Sequence, residues 1–263
     1  MHIVDTHCHI HDTEFYPDNR ESAYQESRAH DTTMLCVGTN VRSSREAVDF
    51  CMTHEGTYPV VGIHPHDSKD NDPEDIRMLV AEHADSIVGI GEIGLDYFYD
   101  HSPHDIQQRA LRAQLEIACA HDLPVSFHVR DSSDPAKVGE VWRDFWPIID
   151  EYEGVRGVLH SFTDTQQNLD EALRRGLKIG VNGISTFTKD LAQQELYRQL
   201  DIANIVLETD APFLTPKPFR GKMNIPAYVG RVAEHQADLK HISVDEVCRV
   251  TTQNARSIFG SQL

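Results

Sequence analysis

The sequence lacks the features that mark several large classes of protein. No stretch approaches the roughly 18 apolar residues that a membrane span needs, and no Gly-x-Gly-x-x-Gly pattern follows the first predicted strand, as it does in dinucleotide-binding folds. The five cysteines are scattered, without a closely spaced pair. We therefore interpret them as reduced thiols of a cytoplasmic protein, not as a disulfide framework or a zinc ribbon. The first predicted strand begins within the first three residues and carries the first potential metal ligands, so we also expect no cleavable signal peptide.

Basic residues are scarce as well. The 263 residues include 24 lysines and arginines against 42 aspartates and glutamates, which gives a formal net charge of −18. A surface of this charge repels long stretches of nucleic acid on average. A nucleic-acid substrate would therefore have to be held locally, by metal ions and a few arginines. The sequence indicates neither a membrane nor an obligate protein partner.

Short β-branched and aliphatic runs alternate with longer segments of helical spacing, and no linker divides them. This alternation is typical of parallel strands joined by crossover helices. Eight such units in about 250 residues favour a closed (β/α)8 TIM barrel, which we predict as a single domain over residues 1–263. The predicted strands are 3–7, 34–38, 58–63, 87–91, 124–128, 157–160, 177–181 and 204–208. Helices are predicted at 107–121 and at 243–259, the second opened by a capping box of Ser243 and Glu246.

Seven potential metal ligands lie near the ends of these predicted strands. A barrel of parallel strands brings all carboxyl-terminal strand ends to one rim, so residues that are distant in sequence converge there. The seven side chains are those of His7, His9, Glu92, His128, His160, Glu208 and Asp210. We predict that a metal centre lies on this rim.

The spacing of His7 and His9 places both imidazoles on one face of a strand, where they can bind one divalent ion. Because the last strand of a closed barrel pairs with the first, Asp210 is predicted as the third ligand of this ion and as a candidate base. Two alternatives remain open. The histidines could be an exposed pair at a strand end, and Asp210 could cap the loop that follows it.

Glu92 follows a glycine-rich run and is predicted to bridge two ions, one with each carboxylate oxygen. His128 and His160 would then complete the shell of the second ion. Taken alone, Glu92 fits equally well as a helix cap or as one half of a salt bridge. Glu208 shares a predicted strand face with Asp210, and Asp210, Glu92 and Glu208 are the candidate catalytic residues.

The mixture of imidazole and carboxylate ligands restricts both the metal and the chemistry. It suits Zn, Mn, Co or Fe, and it suits Mg where carboxylates and waters dominate the shell. Two such ions activate a water and hold both the attacking and the leaving oxygen. The ligand set therefore predicts metal-assisted hydrolysis, either of a phosphate ester or of a carbonyl bond.

Basic side chains near the predicted rim favour the phosphate ester. Arg130 follows the fifth predicted strand by two residues, and its planar guanidinium can bind a phosphate with two hydrogen bonds. Arg220 and Lys222 lie in the proline-rich loop 210–226, close to where barrels often bind phosphate. These three residues are predicted to bind the substrate.

Four further side chains near the rim have roles that the sequence leaves partly open. His64 is predicted to donate a hydrogen bond to a substrate phosphate, whereas His66 is expected to be an ordinary exposed loop residue. Tyr97 and Phe98 would either stack a nucleobase or pack the rim. The sequence favours neither role for these two aromatic residues.

Six motifs, in this order, resemble those of the TatD-like metal-dependent hydrolases of the amidohydrolase superfamily. The motifs are Asp-Thr-His-Cys-His at 5–9, Gly-Ile-His-Pro-His at 62–66, Glu-Ile-Gly-Leu-Asp-Tyr at 92–97, His-Val-Arg-Asp at 128–131, His-Ser-Phe-Thr at 160–163 and Glu-Thr-Asp-Ala-Pro at 208–212. The resemblance extends from residue 4 to the Asn-Ala-Arg segment at 254–256. It covers essentially the whole chain.

This resemblance implies a barrel deoxyribonuclease with two divalent ions, Mg or Mn in function and Zn as a plausible substitute. Its substrate would be single-stranded or damaged DNA, shortened from the 3′ end. The implied ligands are His7, His9, Glu92 and Asp210 for one ion and Glu92, His128 and His160 for the other. His64 and Arg130 match positions that contact the substrate phosphate.

The chain departs from the family pattern at two places. Met223 and Ile225 stand on either side of Asn224, where the family usually has a basic and an acidic residue, so we expect an ion pair that shapes this loop to be lost. Asp164 stands where a glycine is common. We expect its carboxylate to lie near His160 and to disfavour a phosphate. Neither departure touches a predicted ligand.

Three functions follow from these observations. The main hypothesis is a metal-dependent 3′–5′ exodeoxyribonuclease, and the alternative is a small-molecule amidohydrolase, lactonase or phosphoesterase on the same barrel. Relatives with amidohydrolase activity often bridge their metals with a carboxylated lysine on the fourth strand, where this chain has Glu92 and no lysine nearby. A third hypothesis is a non-catalytic, metal-stabilised binding protein, which the full set of ligands and bases argues against.

Overall fold

The computed structural model describes residues 2–99 and 101–263. Its strands are β1 (Ile3–Cys8), β2 (Thr32–Val37), β3 (Thr57–Val61), β4 (Gly89–Asp96), β5 (Val125–Arg130), β6 (Gly157–Leu159), β7 (Lys178–Val181) and β8 (Ile205–Leu207). Its α-helices are α1 (Arg20–Ala29), α2 (Val41–Thr53), α3 (Pro73–Glu82), α4 (His104–Ala120), α5 (Glu140–Asp150), α6 (Gln166–Arg174), α7 (Leu191–Gln199), α8 (Val229–Lys240) and α9 (Val244–Phe259). The strands form one parallel sheet in the order β1 to β8.

The first strand also pairs with the segment that follows the last one. Cys8 and Ala211 form a parallel bridge, the amide of His9 donates to the carbonyl of Ala211 at 2.8 Å, and the amide of Asp210 donates to the carbonyl of His7 at 2.9 Å. This pairing is what the predicted closed barrel requires. It also places the predicted ligands of β1 next to Asp210.

The strands are buried along most of their length. β1, β2 and β4 have no exposed residue, as expected for a parallel sheet that helices cover. Their runs of valine, isoleucine and leucine suit such an environment because β-branched side chains pack well on a pleated surface.

The chain forms two compact units. The first contains residues 2–36, 54–57 and 161–263, and within it α9 packs on β1, β8 and α8. The second contains Val37–Thr53 and Tyr58–His160. There α4 packs along β4, and Phe145 of α5 contacts Phe127 of β5 with ring centres 5.4 Å apart. The single domain over residues 1–263 stays a prediction.

All eight predicted strands are present, but several of their ends differ from the prediction. β4 continues past residue 91 to Asp96, and β5 continues to Arg130, so Glu92 and His128 lie inside strands. The prediction that Glu92 follows its strand and that His128 ends its strand is therefore wrong. β8 ends at Leu207 and does not include Glu208.

Gly94 explains why the two strands continue together. A Cβ atom at this position would lie 1.8 Å from the carbonyl oxygen of His128, so only glycine lets β4 and β5 approach each other here. Because the pairing continues to Asp96 and Arg130, side chains beyond the predicted strand ends take fixed positions.

The capping interaction at the start of α9 is confirmed in part. The hydroxyl oxygen of Ser243 accepts a hydrogen bond from the amide of Glu246 at 3.1 Å. The carboxylate of Glu246 binds Arg249 instead of returning to the Ser243 amide. The N-terminus of α9 thus depends on Ser243 for one of its otherwise unbonded amides.

Replacing Ser243 with Ala is expected to lower the free energy of unfolding by about 1 kcal/mol, because the helix loses this cap. Urea denaturation followed by circular dichroism measures the change. Ser257→Ala is the control: its hydroxyl, exposed on the same helix, only donates to the carbonyl of Asn254, so a change within about 0.5 kcal/mol is expected. Equal losses in the two variants would contradict the role given to Ser243.

Among residues 2–99 and 101–263, every helix is too short or too polar to cross a membrane. All five cysteines belong to this part of the chain, and each is a free thiol.

Candidate metal centre

The first unit brings His7, His9 and Asp210 together. The Nε2 atoms of His7 and His9 lie 3.9 Å and 3.4 Å from Oδ1 of Asp210, and the two imidazole rings meet edge to face with centres 5.1 Å apart. Both histidines are buried, whereas the Asp210 side chain is 15% exposed. Two imidazoles and one carboxylate at these separations match the donor types that divalent transition metals prefer.

Asp5 fixes the main chain on both sides of this cluster. Its carboxylate accepts hydrogen bonds from the amide of His7 at 3.2 Å, and from the amide and hydroxyl of Thr209 at 2.9 Å and 2.5 Å. Burial raises the pKa of the Asp5 carboxyl to about 8, against the opposing effect of these hydrogen bonds. Asp210 follows Thr209 directly and has a φ of 56°, a left-handed conformation that is uncommon outside glycine. The bonds to Asp5 help to hold it.

Glu208 lies against a different set of partners. Its Oε1 accepts hydrogen bonds from the amide of Ser161 at 2.6 Å and from the side-chain amide of Asn182 at 3.3 Å. Gly180 makes room for the carboxylate, because a Cβ there would lie 2.4 Å from Oε2. Glu208 thereby holds the main chain directly after His160. Its predicted catalytic role stays a prediction.

The second unit surrounds Glu92 with imidazoles. Oε1 of Glu92 lies 2.7 Å from Nδ1 of His128, 3.6 Å from Nε2 of His64 and 3.8 Å from Nε2 of His160. Glu92 is buried, and the donor atoms of Glu92, His64 and His128 lie within 4.8 Å of one another. His64 was predicted to bind substrate, and here it belongs to a group that can also hold a metal.

Burial and neighbouring charges act differently on two of these imidazoles. Burial, with the charge of His128, holds the pKa of His64 well below its ordinary value, so His64 is neutral and keeps a lone pair. Burial alone would also lower the pKa of His128, but hydrogen bonds to Asp96 and Glu92 outweigh it and raise that pKa to about 9. His128 is thus held by a carboxylate at each nitrogen.

Asp96 is the residue of this site that the sequence analysis missed. Its Oδ2 lies 3.0 Å from Nε2 of His128 and 3.0 Å from Nε2 of His66. Burial alone would raise the pKa of the Asp96 carboxyl, but the hydrogen bonds from these two histidines outweigh it and hold that pKa below its ordinary value. A carboxylate on the outer nitrogen of a metal-binding histidine fixes the orientation of the ring. The even spacing from Glu92 to Asp96 along one strand was the available signal.

His66 is also placed differently from the expectation. It was expected to be an ordinary exposed loop residue, yet its Nε2 binds Asp96 and its ring lies edge to face with those of His64 and Tyr99 at 4.4 Å and 5.5 Å. That expectation is wrong. The side chain is 28% exposed, and it lies beside Glu92 and its three surrounding imidazoles, those of His64, His128 and His160, which we call the second cluster.

The structure separates the roles of Tyr97 and Phe98. Tyr97 is buried, its hydroxyl donates to Asp144 at 2.7 Å, and its ring stacks on His104 at 3.6 Å. Tyr97 therefore packs the protein. Phe98 is exposed, and the guanidinium carbon of Arg130 lies 4.1 Å from its ring centre.

The other two predicted substrate contacts lie in the loop 210–226. Arg220 donates to the carbonyl of Thr215 at 2.8 Å, and its guanidinium lies 3.8 Å above the ring of Phe187. The Nζ atom of the exposed Lys222 lies 5.6 Å from the ring centre of Phe219. Their roles in binding substrate stay predictions.

The loop that carries Met223 and Ile225 is shaped without the ion pair of the family pattern. Ile225 is buried and Met223 is 44% exposed. Between them Asn224 is buried, and its side-chain amide donates to the carbonyls of Thr209 and Phe213 at 2.9 Å and 2.6 Å. These two hydrogen bonds anchor the loop.

Asp164 is engaged at the beginning of α6. Its Oδ1 accepts hydrogen bonds from the amide of Thr165 and the side-chain amide of Asn168, both at 2.6 Å. These donors partly neutralise the carboxylate. They reduce its expected repulsion of a phosphate.

Comparison with known proteins identifies the family of this chain. The family model for TatD-related DNases matches residues 4–260. An uncharacterized metal-dependent hydrolase of Bacillus subtilis, YabD, is 33% identical over 261 residues, which are 98% of each chain. The 3′-5′ ssDNA/RNA exonuclease TatD of Citrobacter rodentium is 30% identical over 268 residues, covering 99% of both chains.

A solved structure extends the likeness to three dimensions. The crystal structure of YjjV, a TatD homologue from Escherichia coli K12, has a TM-score of 0.84 and 26% sequence identity, and the match covers 98% of this chain and 97% of that one. Together with the strand order, this likeness confirms the predicted (β/α)8 TIM barrel. The chain therefore belongs to the TatD-related DNase family of metal-dependent hydrolases.

Proposed function

We propose that this protein is a two-metal phosphodiesterase that removes nucleotides from the 3′ end of single-stranded or damaged DNA. The observation that supports this proposal most strongly is the buried Glu92 carboxylate with three imidazoles around it. Imidazole nitrogens within 3.8 Å of one carboxylate oxygen are the mixed donor set that divalent transition metals bind. Relatives named 3′-5′ ssDNA/RNA exonuclease TatD support the choice of a nucleic-acid substrate.

The donor atoms of the chain fit divalent ions. Most imidazole and carboxylate side chains of the two clusters are buried, with Asp210 and His128 15% and 18% exposed, and their donor atoms suit Mn and Zn as well as Mg. The proposed ligands are His7, His9, Glu92 and Asp210 for one ion and Glu92, His128 and His160 for the other. When bound, the ions supply an activated water and neutralise charge on the phosphate.

The residues around the ions have separate proposed tasks. Asp210 is the only partly exposed member of the first cluster, and its carboxylate is proposed to accept the proton of the attacking water. Asp96 orients His128, and Glu208 holds the main chain beside His160. Both act through the ligands and are positioning residues.

The substrate is proposed to be held by a few local contacts. His64 and Arg130 would bind the phosphate at the 3′ end, and Arg220 and Lys222 would bind the strand farther along. A net charge of −18 allows no broad electrostatic contact. The affinity for a single strand should therefore fall only gently with salt, with a slope that corresponds to few released counterions.

The test uses single-stranded oligonucleotides labelled at the 3′ or at the 5′ end. Protein stripped by a chelator is resupplied with Mg, Mn or Zn and compared with Asp210→Asn and with Asp105→Asn, a control on the exposed face of α4. We expect metal-dependent release of 3′ mononucleotides by the wild type and the control, and none by Asp210→Asn. If protein that holds two ions cleaves no DNA, small phosphoesters or cyclic amides become the better substrates.

A further inference from the structure

We propose that Phe98, Tyr99 and Arg130 form a stacking platform for a nucleobase of the single strand. The inference rests on the proposed nuclease function. The platform would select the substrate, whereas the two ligand clusters would act in cutting the phosphodiester bond. A base that is not stacked on its neighbours in the strand would stack on the platform. The phosphate next to that base would then lie at the second cluster.

The platform presents aromatic surface and positive charge to solvent. Phe98 and Tyr99 are 39% and 41% exposed, which is unusual for such large side chains. The guanidinium carbon of Arg130 lies 4.1 Å and 4.9 Å from the two ring centres. Among residues 2–99 and 101–263 no carboxylate pairs with Arg130, whose planar guanidinium is suited to binding a phosphate with two hydrogen bonds.

The carboxylate of Asp96 makes hydrogen bonds both to the platform and to the second cluster. Oδ1 of Asp96 accepts hydrogen bonds from the amides of Phe98 and Tyr99 at 2.9 Å and 3.0 Å, while Oδ2 binds His128 at 3.0 Å. The amide of Tyr97 donates to the carbonyl of Arg130 at 2.9 Å, which ties the two strands together. The surface is therefore formed before the substrate arrives, and binding a base costs little ordering of the protein.

A ladder of rings leads from the second cluster to the platform. The ring of His66 lies 6.3 Å from that of His128 and 5.5 Å from that of Tyr99. Tyr99 in turn contacts Phe98 at 4.7 Å. A single strand that follows these rings meets aromatic surface next to the proposed metal ligands.

The chemistry of this surface selects unpaired bases. Every base has a flat π-face, so stacking on an aromatic side chain tolerates any sequence. In a duplex these faces are covered by neighbouring bases, and exposing one costs a few kcal/mol. The platform therefore favours single strands, and it requires a base, not only a sugar and a phosphate.

The test compares oligonucleotides that carry normal nucleotides with oligonucleotides that carry abasic tetrahydrofuran residues at the three positions nearest the 3′ end. In Phe98→Leu, which keeps an apolar side chain but loses the ring, we expect KM for the normal strand to rise about tenfold. KM for the abasic strand should change little. Phe98→Tyr keeps an aromatic ring and should therefore keep the wild-type KM for the normal strand. Met78→Leu, at an exposed position of α3, is the control and should leave KM for both strands unchanged.

Other outcomes overturn the platform. An equal rise of KM on both strands would mean that Phe98 only positions Arg130, and no rise on either would mean that it does not contact the substrate. Failure of the wild type to cleave any strand would count against the nuclease function itself. In that case the platform is tested by binding alone, with fluorescence anisotropy of the labelled normal and abasic strands and Mn-loaded protein. Equal affinities for the two strands would rule out base stacking.

Discussion

Replacing Glu92 with Gln is expected to lower kcat/KM on single-stranded DNA by about a thousandfold or more, because several kcal/mol of charge stabilisation depend on the bound ions. The carboxylate of Glu92 faces His64, His128 and His160 at 2.7 to 3.8 Å. Glutamine keeps the shape but supplies no negative charge to hold a cation among these imidazoles. The variant should therefore retain less metal after dialysis, as measured by mass spectrometry of the eluted ions.

A control and a stability measurement separate this effect from misfolding. Glu116→Gln makes the same chemical change at an exposed position of α4, and it should keep both activity and metal content. The metal-free Glu92→Gln protein should show the circular dichroism spectrum of a folded protein at the assay temperature, although it should melt earlier than the metal-free wild type because the mostly buried His128 loses a carboxylate partner. Full activity or full metal content in the variant would contradict the role proposed for Glu92.

Asp96→Asn is expected to weaken metal binding by about 10- to 100-fold, the usual loss when a carboxylate behind a ligating histidine is removed. The oxygen of the new amide can still accept the hydrogen bonds from Phe98 and Tyr99. The amide nitrogen that replaces Oδ2 cannot accept from His128 and His66. Titration of metal-free protein with Mn, followed by calorimetry, measures the affinity.

Asp144→Asn is the matched control for this prediction. Asp144 also accepts hydrogen bonds, from the buried Tyr97 hydroxyl and from the partly buried Gln108, and neither of these two residues is a proposed metal ligand. Its replacement should lower thermal stability while leaving the affinity for Mn unchanged. Equal affinities of wild type and Asp96→Asn would show that His128 needs no support from Asp96.

The part of the site that the sequence predicted depends on two simple rules. Parallel strands place their ends on one rim, and a closed sheet joins its last strand to its first, so Asp210 was expected beside His7 and His9. The structure brings these three side chains together. It does so although the pairing of β1 with β2 is irregular between Asp5 and Cys8, where strict alternation of side chains does not hold.

The part that the sequence did not predict depends on contacts between distant segments. The ends of β4 and β5 lie farther along the chain than local composition suggests, because Gly94 allows the two backbones to stay paired. Asp96 acquires its role only through this extension. Tyr97 and Phe98 are neighbours with similar side chains, and only the packing of Tyr97 against His104 and Asp144 separates the buried residue from the exposed one.

The most direct test of the account is to count the ions that activity requires. Metal-free protein is titrated with Mn, and two quantities are measured at each step. Electron paramagnetic resonance gives the amount of bound Mn, and a cleavage assay gives the release of 3′ mononucleotides from a single strand. The two-metal proposal predicts that cleavage rises with the second equivalent of bound Mn and shortens the strand from its 3′ end. Full cleavage with one bound ion, or no cleavage of DNA with two, would contradict it.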